Sequence, residues 1–500
     1  MRVRYVDETS APVDPPRARD AMNPSLPVTG VGAVPLTCRL SRPSDLPMHD
    51  RPPGPPPRKA GLHSLPYYVR FAMDPLGFVG ERFAQYGNIY YAPSGATGLF
   101  VLRDPEHLRQ VLATDAASYS KAHSSSARIE QVIGHGLLTL DGDDWKRHRR
   151  MIQPAFNRAA LRSYAETMVH ETERLVARWP TDQRIDVAAE MTELTLQIVG
   201  RTLFSHDAGS ASTDISSAMR TFNATMGQPD LLPKWMPSPM RSRLKRAVGR
   251  LDKIVYDLID ARAAGRSRGD DLLQSLVDAV DGEGDGGKLT RREVHDELVT
   301  LFLAGHETTS NALAWTLYLL ARNPEALAKL EAEVARVVGD RSPTMDDLEA
   351  MPWLDQVLRE SMRLYPPAFA VARRAEVDTT IGEFAVPAGS EIILWIYWAH
   401  RDPRWFPEPE VFRPERFEPA LVAKLPKMAY LPFGGGPRAC IGAQFSLMEA
   451  RLVLAVLVQH CRLDLVRPGQ TVRSRTGVTL TPRGGLPMIV RTRTRAQRAA

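Results

Sequence analysis

The sequence predicts a mainly α-helical domain carrying small β-sheets, and three observations lead to that class. From about Gly61 onward apolar residues recur at the spacing of amphipathic helices. Strand signals are confined to Asn88 to Pro93, Gly98 to Arg103, Thr380 to Val386 and Glu391 to Ile396, the last two flanking Pro387-Ala388-Gly389. Finally, one helix is unusually long. Thr290 and Glu293 make a capping box, Leu298, Leu301, Phe302, Ala312, Leu313, Thr316, Leu319 and Leu320 keep helical spacing, and Asn323-Pro324 stops it. Its length of about 48 Å matches a whole domain, so it is expected to run through the core.

Each further segment follows from composition. Thirteen of the 40 prolines fall within residues 1 to 60, so that stretch is read as a tail and hinge and residues 61 to 500 as the globular domain. The Pro-rich stretch Gln228 to Pro239 cannot be helix interior and reads as a mobile connection or lid. Asp281 to Gly287 is a loop whose acidic spacing hints at calcium, but Arg292 stands where a bidentate Glu is required. A net charge of +6 with no dominant basic run argues against nucleic acid as a partner. Three cysteines, Cys38, Cys440 and Cys461, are too few and too odd in number for a disulfide framework, which fits a reducing, cytoplasmic compartment. The best apolar stretch, Leu298 to Ala304, is broken by Gly305, His306 and Glu307, so no membrane span is expected. Prolines and glycines dilute the weak apolar run from Val28 to Leu36, which therefore makes a poor signal peptide.

Two places carry chemistry. The centre of the long helix, Ala304-Gly305-His306-Glu307-Thr308-Thr309, holds a glycine and two β-branched hydroxyl residues where a core helix would prefer Ala or Leu. Gly305 either marks a close helix crossing or lets a flat ligand approach. The threonines are either back-bonded or, with Glu307, a hydroxyl and a carboxyl for proton delivery. The second place is Phe433-Gly434-Gly435-Gly436-Pro437-Arg438-Ala439-Cys440-Ile441-Gly442, followed by an amphipathic helix from about Ala443 to His460. Glycines let this backbone fold tightly under a ligand, and Arg438 and a helix N-terminus favour the Cys440 thiolate. No second Cys or His stands at a zinc-like spacing. A lone thiolate with an open coordination sphere suits haem iron, where it promotes cleavage of the O–O bond. Cys461 and Cys38 read as buried small hydrophobes.

Phe433, Gly434, Gly436, Arg438, Cys440 and Gly442 resemble the Phe-Gly-x-Gly-x-Arg-x-Cys-x-Gly pattern of cytochromes P-450. In the family's order, Ala304-Gly305 to Thr309 resembles the oxygen-activating helix, Glu360-Ser361-Met362-Arg363 the Glu-x-x-Arg helix, and Pro414-Glu415-Arg416-Phe417 the segment supplying a second Arg. The resemblance covers about residues 61 to 490. It implies the cytochrome P-450 fold, with haem b between the long helix and the cysteine loop and Cys440 as iron ligand. It also implies Trp145, Arg149, Arg438 and Arg373 at the propionates, with neighbouring Arg374 as the alternative to Arg373. Glu360, Arg363 and Arg416 become a buried structural network, Thr308 and Glu307 the catalytic alcohol and acid. Ala304, Ala368, Phe369 and Val478 face the substrate.

The function so implied is insertion of one atom of O2 into an apolar lipid-, terpenoid- or polyketide-like molecule. Electrons would come from a ferredoxin or flavodoxin with its NAD(P)H reductase, because only about 60 residues follow Cys440 and they hold no Gly-rich nucleotide fingerprint. Arg147, Arg150, Lys424 and Lys427 are candidates for the basic docking patch. The rival readings are a peroxygenase or isomerase, which would need no Glu307 and Thr308 pair, and a haem sensor, which would usually carry an output domain.

Overall fold

The computed structural model describes residues 51–56, 65–93, 98–122, 133–204, 238–266, 271–281 and 286–493, with Glu130, Thr221 and Gly284. Cys38, the tail before Arg51 and residues 228–237 of the expected lid lie outside the described residues, as do Glu283 and Asp285 of the acidic loop. The elements below all belong to the unit Leu40–Ala500. At its described start the proline-rich stretch is docked: Pro52 is buried and the Pro53 carbonyl accepts the Tyr91 N–H at 3.0 Å. Prolines donate no hydrogen bond, but their carbonyls can still serve a strand edge.

The helices used here are α1 Leu65–Met73, α2 Pro75–Tyr86, α3 Gly142–Ile152, α4 Arg158–Arg178, α5 Val187–Phe204, α6 Pro239–Ala263, α7 Leu272–Asp278, α8 Arg291–Arg322, α9 Pro324–Val337, α10 Pro352–Leu364 and α11 Ala443–His460. The long helix is α8, 32 residues with the Thr290–Glu293 capping box formed and Asn323 at its end. It is buried from Val294 through Leu303 and again from Thr309 through Leu320, on every side, as a helix in the centre of a core must be. It packs against α5, α6, α10 and α11, while α4 packs on both α5 and α11. Leu298, Leu313, Trp315, Leu454 and Val456 lie in one apolar cluster at full burial.

Beside this helical body stands a five-stranded sheet in the order β1-β2-β8-β5-β3. β1 is Ile89–Ala92, β2 Leu99–Leu102, β3 Tyr119–Ser120, β5 Val371–Ala375 and β8 Glu391–Leu394. β2 runs parallel to β8, with Leu99 opposite Glu391, and β5 runs antiparallel to β8, with Arg373 opposite Ile392. A small sheet joins β4 Arg184–Asp186, β12 Pro487–Thr492 and β9 Cys461–Leu465. The stretch Thr380 to Val386, expected as one strand, is a hairpin of β6 Thr379–Ile381 and β7 Phe384–Val386. The turn falls at Gly382, whose φ of +58° ends the extended run. A last hairpin, β10 Ser474–Thr476 and β11 Leu480–Pro482, returns its tip to α8.

Candidate active site

The cysteine loop is folded by its glycines. Gly434 and Gly436 have φ of +70° and +69°, and a Cβ on Gly436 would lie 1.8 Å from the Leu112 carbonyl oxygen. Leu431 accepts the Gly434 N–H at 3.0 Å, and half-buried Phe433 accepts the Cys440 N–H at 2.9 Å. Cys440 is solvent-accessible although protein surrounds it. That surrounding protein pushes its thiol pKa up, against the Gly442 N–H and the Arg149 guanidinium, which favour the thiolate. Cys461 differs: it is buried, its pKa is pushed up to about 12 by burial, and its sulfur bonds the Leu457 carbonyl.

Around that loop gather four cations. Arg149 on α3 donates to the Ala439 carbonyl at 2.8 Å. Arg438 donates to the Leu140 carbonyl at 2.8 Å, pairs with Asp141 and lies 4.4 Å over the Trp145 ring. Arg373 is half-buried and donates to the Ala372 carbonyl at 2.8 Å, and its pKa is lowered to about 10 by burial and by Arg438. Arg374 is exposed, because successive strand residues alternate faces. Lys121 completes the group, with its pKa lowered to about 7 by burial and then by Arg373 and Arg438. Sequence reasoning missed Lys121 because nothing in Tyr119-Ser120-Lys121-Ala122 separates it from a surface lysine. Among the described residues Asp141 is the one acid acting on Lys121 and Arg373. Half-buried cations in such excess call for anions. A haem presents two carboxylates and an iron that takes a thiolate ligand, so the cations and the accessible thiol fit that group.

The centre of α8 opens where its flanks are closed. Ala304 is exposed and Gly305 and Thr308 are half-buried. Thr308 donates to the Ala304 carbonyl at 2.8 Å. Thr309 bonds the Gly305 carbonyl at 3.2 Å and the Ser446 hydroxyl of α11 at 2.9 Å. Both threonines therefore back-bond the helix. A Cβ on Gly305 would stand 3.1 Å from Val199 of α5, so its small size serves a helix crossing at this point. Thr195 of α5 donates to the His306 carbonyl at 2.9 Å, diverting an acceptor of the helix ladder at the same place. The Glu307 carboxylate is buried and receives the Thr479 hydroxyl at 2.5 Å.

Residues expected at the pocket converge from two loops. The Leu480 N–H donates to the Pro367 carbonyl at 3.0 Å, tying the hairpin tip with Val478 to the strand entry with Ala368 and Phe369. Ala368, Phe369 and Val478 are all half-buried, and Phe369 packs at 5.8 Å on Trp395.

Glu360, Arg363 and Arg416 meet beneath the site. Glu360 and Arg363 are fully buried, and the guanidinium binds both carboxylate oxygens at 2.7 and 2.8 Å. Arg363 also donates to the carbonyls of His400 and Pro409, while Glu360 accepts the Arg413 N–H and lies 3.4 Å from Arg416. Burial, Arg363 and Arg401 push the His400 pKa down to about 3, so its neutral ring accepts the Leu431 N–H at 2.9 Å. That bond links the network to the cysteine loop.

The expected basic patch divides. Arg147 is bound to Glu293 at 3.0 Å and the exposed Arg150 to Asp281 at 3.0 Å, so both are paired with carboxylates of this chain, whereas Lys424 and Lys427 are exposed. Next to Arg147, His148 sits between Glu297 at 2.6 Å and Glu293 at 3.3 Å. Burial opposes its charge, but those carboxylates win and its pKa is raised. Asp281 thus serves Arg150, and among the described residues no cluster of metal-ligating side chains occurs. Nor is any described helix long and apolar enough to cross a membrane.

The Cytochrome P450 family model matches residues 52–487. Cyclooctatin synthase of Streptomyces melanosporofaciens is 35% identical over 436 residues, covering 86% of this chain and 94% of that protein. Cyclooctat-9-en-7-ol 5-monooxygenase of the same organism is 33% identical over 407 residues, covering 80% and 87%. The crystal structure of a mutant cytochrome P450DA heme domain superposes with a TM-score of 0.79 at 27% identity, covering 90% of this chain and 99% of that one.

Proposed function

Because the chain belongs to the cytochrome P450 family, we propose that it is a cysteine-ligated haem monooxygenase acting on an apolar, terpenoid-like small molecule. The observation that carries the reading is an accessible Cys440 thiol beside four cations, Lys121, Arg149, Arg373 and Arg438, the first and the last two of which share Asp141. Haem b held there supplies activation of dioxygen and uptake of single electrons. Cys440 would ligate the iron, and Trp145 and the four cations would hold the propionates. Phe433, Gly434 and Gly442 shape the loop beneath.

The residues of this chain then do three things. Ala304, Ala368, Phe369 and Val478 offer small or apolar surface, which excludes water and orients the substrate by shape. The Thr308 hydroxyl would leave its bond to the Ala304 carbonyl to hold a water and pass a proton into the pocket. The Glu307 carboxyl connects that water to solvent. A ferredoxin or flavodoxin with its NAD(P)H reductase delivers electrons in the cytoplasm, meeting Lys424 and Lys427. The terpenoid-like class follows the relative named for oxygenating cyclooctat-9-en-7-ol.

The test is the ratio of oxygenated product to reduced nicotinamide consumed, with a surrogate reductase and labelled dioxygen. Thr308→Ala keeps substrate-induced spectra and electron uptake but releases hydrogen peroxide in place of labelled product. Parent-level coupling in that variant overturns the proton-delivery reading.

A further inference from the structure

Glu307 is held by a hydroxyl that lies outside its own helix. Thr479 stands at the tip of the β10–β11 hairpin, next to Val478, and is buried, as are Glu307 and Asn311. Its hydroxyl donates to Glu307 Oε1 at 2.5 Å and accepts from Asn311 Nδ2 at 3.1 Å. The same Asn311 nitrogen donates to the Glu307 backbone carbonyl at 2.9 Å, one turn back along α8. That carbonyl can only accept, so the nitrogen is fixed on this side of the amide, and both of its protons are spent. Having one proton and receiving one from Asn311, the Thr479 hydroxyl must point its own proton at the carboxylate. The polarity Asn311 to Thr479 to Glu307 is therefore set by chemistry. The tip cannot drift, because Leu480 donates its N–H to Pro367 and accepts the Trp315 indole N–H at 2.9 Å.

We propose that Thr479 is a positioning residue for oxygen activation, aiming the Glu307 carboxylate through a hydroxyl whose own direction Asn311 dictates. The inference rests on the reading of Glu307 as the group that moves protons. It assigns to the hairpin a second task beside presenting Val478 to the substrate. A carboxylate on a helix can swing between rotamers, and a relay works only when donor and acceptor stand within hydrogen-bond reach. Thr479 removes that freedom from outside the helix, and Trp315 and Pro367 keep Thr479 in place.

Thr479→Val keeps the shape and removes the proton, and Thr479→Ser restores it. In the haem-loaded enzyme with a saturating apolar ligand, kcat should fall about tenfold in Thr479→Val, with an enlarged solvent isotope effect and ligand-induced spectral Kd unchanged. Thr479→Ser should recover most of the loss. Independently of turnover, the infrared difference between parent and Thr479→Val should show a shifted carboxylate stretch that vanishes when both proteins also carry Glu307→Gln. In that Glu307→Gln background the further substitution should cost no kcat. If Glu307→Gln alone leaves turnover at parent level, the proton role of Glu307 fails. If Glu307→Gln slows turnover but Thr479→Val is silent, or acts equally in both backgrounds, the positioning role fails and the Glu307 reading stands. A Thr479→Val variant that weakens ligand binding without changing the isotope effect or the carboxylate band makes Thr479 a packing residue only.

Discussion

Replacing Glu360 by Ala removes both carboxylate acceptors of the Arg363 guanidinium, the acceptor of the Arg413 N–H and a partner of Arg416. Arg363 would stay charged and fully buried, satisfied by the carbonyls of His400, Pro409 and Val411 alone. Breaking a buried pair on one side costs about 3–5 kcal/mol. At 1.4 kcal/mol per tenfold, that lowers the folded-to-unfolded ratio by roughly a hundredfold to a few thousandfold. The damage should propagate, because His400 carries the Leu431 N–H and Leu431 carries the Gly434 N–H at the head of the cysteine loop. The assay is paired: thermal melting of the haem-loaded protein, and the fraction of thiolate-type carbon monoxide band after mild warming. Glu360→Ala should lose both, and Glu360→Gln, which keeps the acceptor oxygen and shape, should lose less. A Glu360→Ala protein with parent melting and a parent band would refute the claim that this pair supports the loop.

Lys121→Met should speed haem loss to an excess acceptor roughly ten- to a hundredfold, the worth of one charge-assisted hydrogen bond, and an unchanged rate would remove Lys121 from the site. Because its pKa is pushed down to about 7 by burial and the neighbouring arginines, the unfolded chain binds the extra proton above pH 7. Stability of the haem-free protein should then rise between about pH 7 and pH 10, a rise that Lys121→Met abolishes. His148 has the opposite sign: its raised pKa gives stability that is full below about pH 6.5 and lost as pH climbs through the folded value. His148→Gln should flatten that decline, and an identical decline in the variant would place its origin elsewhere. Reversing Lys424 and Lys427 to Glu should slow reduction by an acidic ferredoxin at low salt and reduce its salt dependence, whereas reversing Arg147 should chiefly disturb Glu293. Equal reduction rates would remove the two lysines from the docking surface.

The long helix could be read from the chain to its last residue because its signals are local: a capping box at one end, Asn-Pro at the other, and apolar residues at helical spacing between them. The helix after the cysteine loop was legible from its apolar spacing alone. Strands were harder. β5 contains Arg373 and Arg374, and β4, β9 and β12 are short segments whose pairing partners lie far away in sequence, so their extended shape is decided by tertiary contact. Within the site, residues on a motif were found and those contributed by geometry were not. Lys121 and Asp141 reach the cations from loops, and Thr479 reaches Glu307 across the hairpin. The contact of Gly305 with Val199 was likewise not legible, because Val199 lies on another helix. Arg147 and Arg150 look like surface charges in sequence because Glu293 and Asp281, which bind them, are more than a hundred residues away.

The account depends above all on Cys440 holding the haem iron, and one spectrum tests that directly. Reduced parent protein exposed to carbon monoxide should give a thiolate-type Soret band, and Cys440→Ser, purified with whatever haem it retains, should lack it while Cys461→Ser keeps it. A thiolate-type band of parent intensity in Cys440→Ser would contradict the assignment and, with it, the site built around that loop.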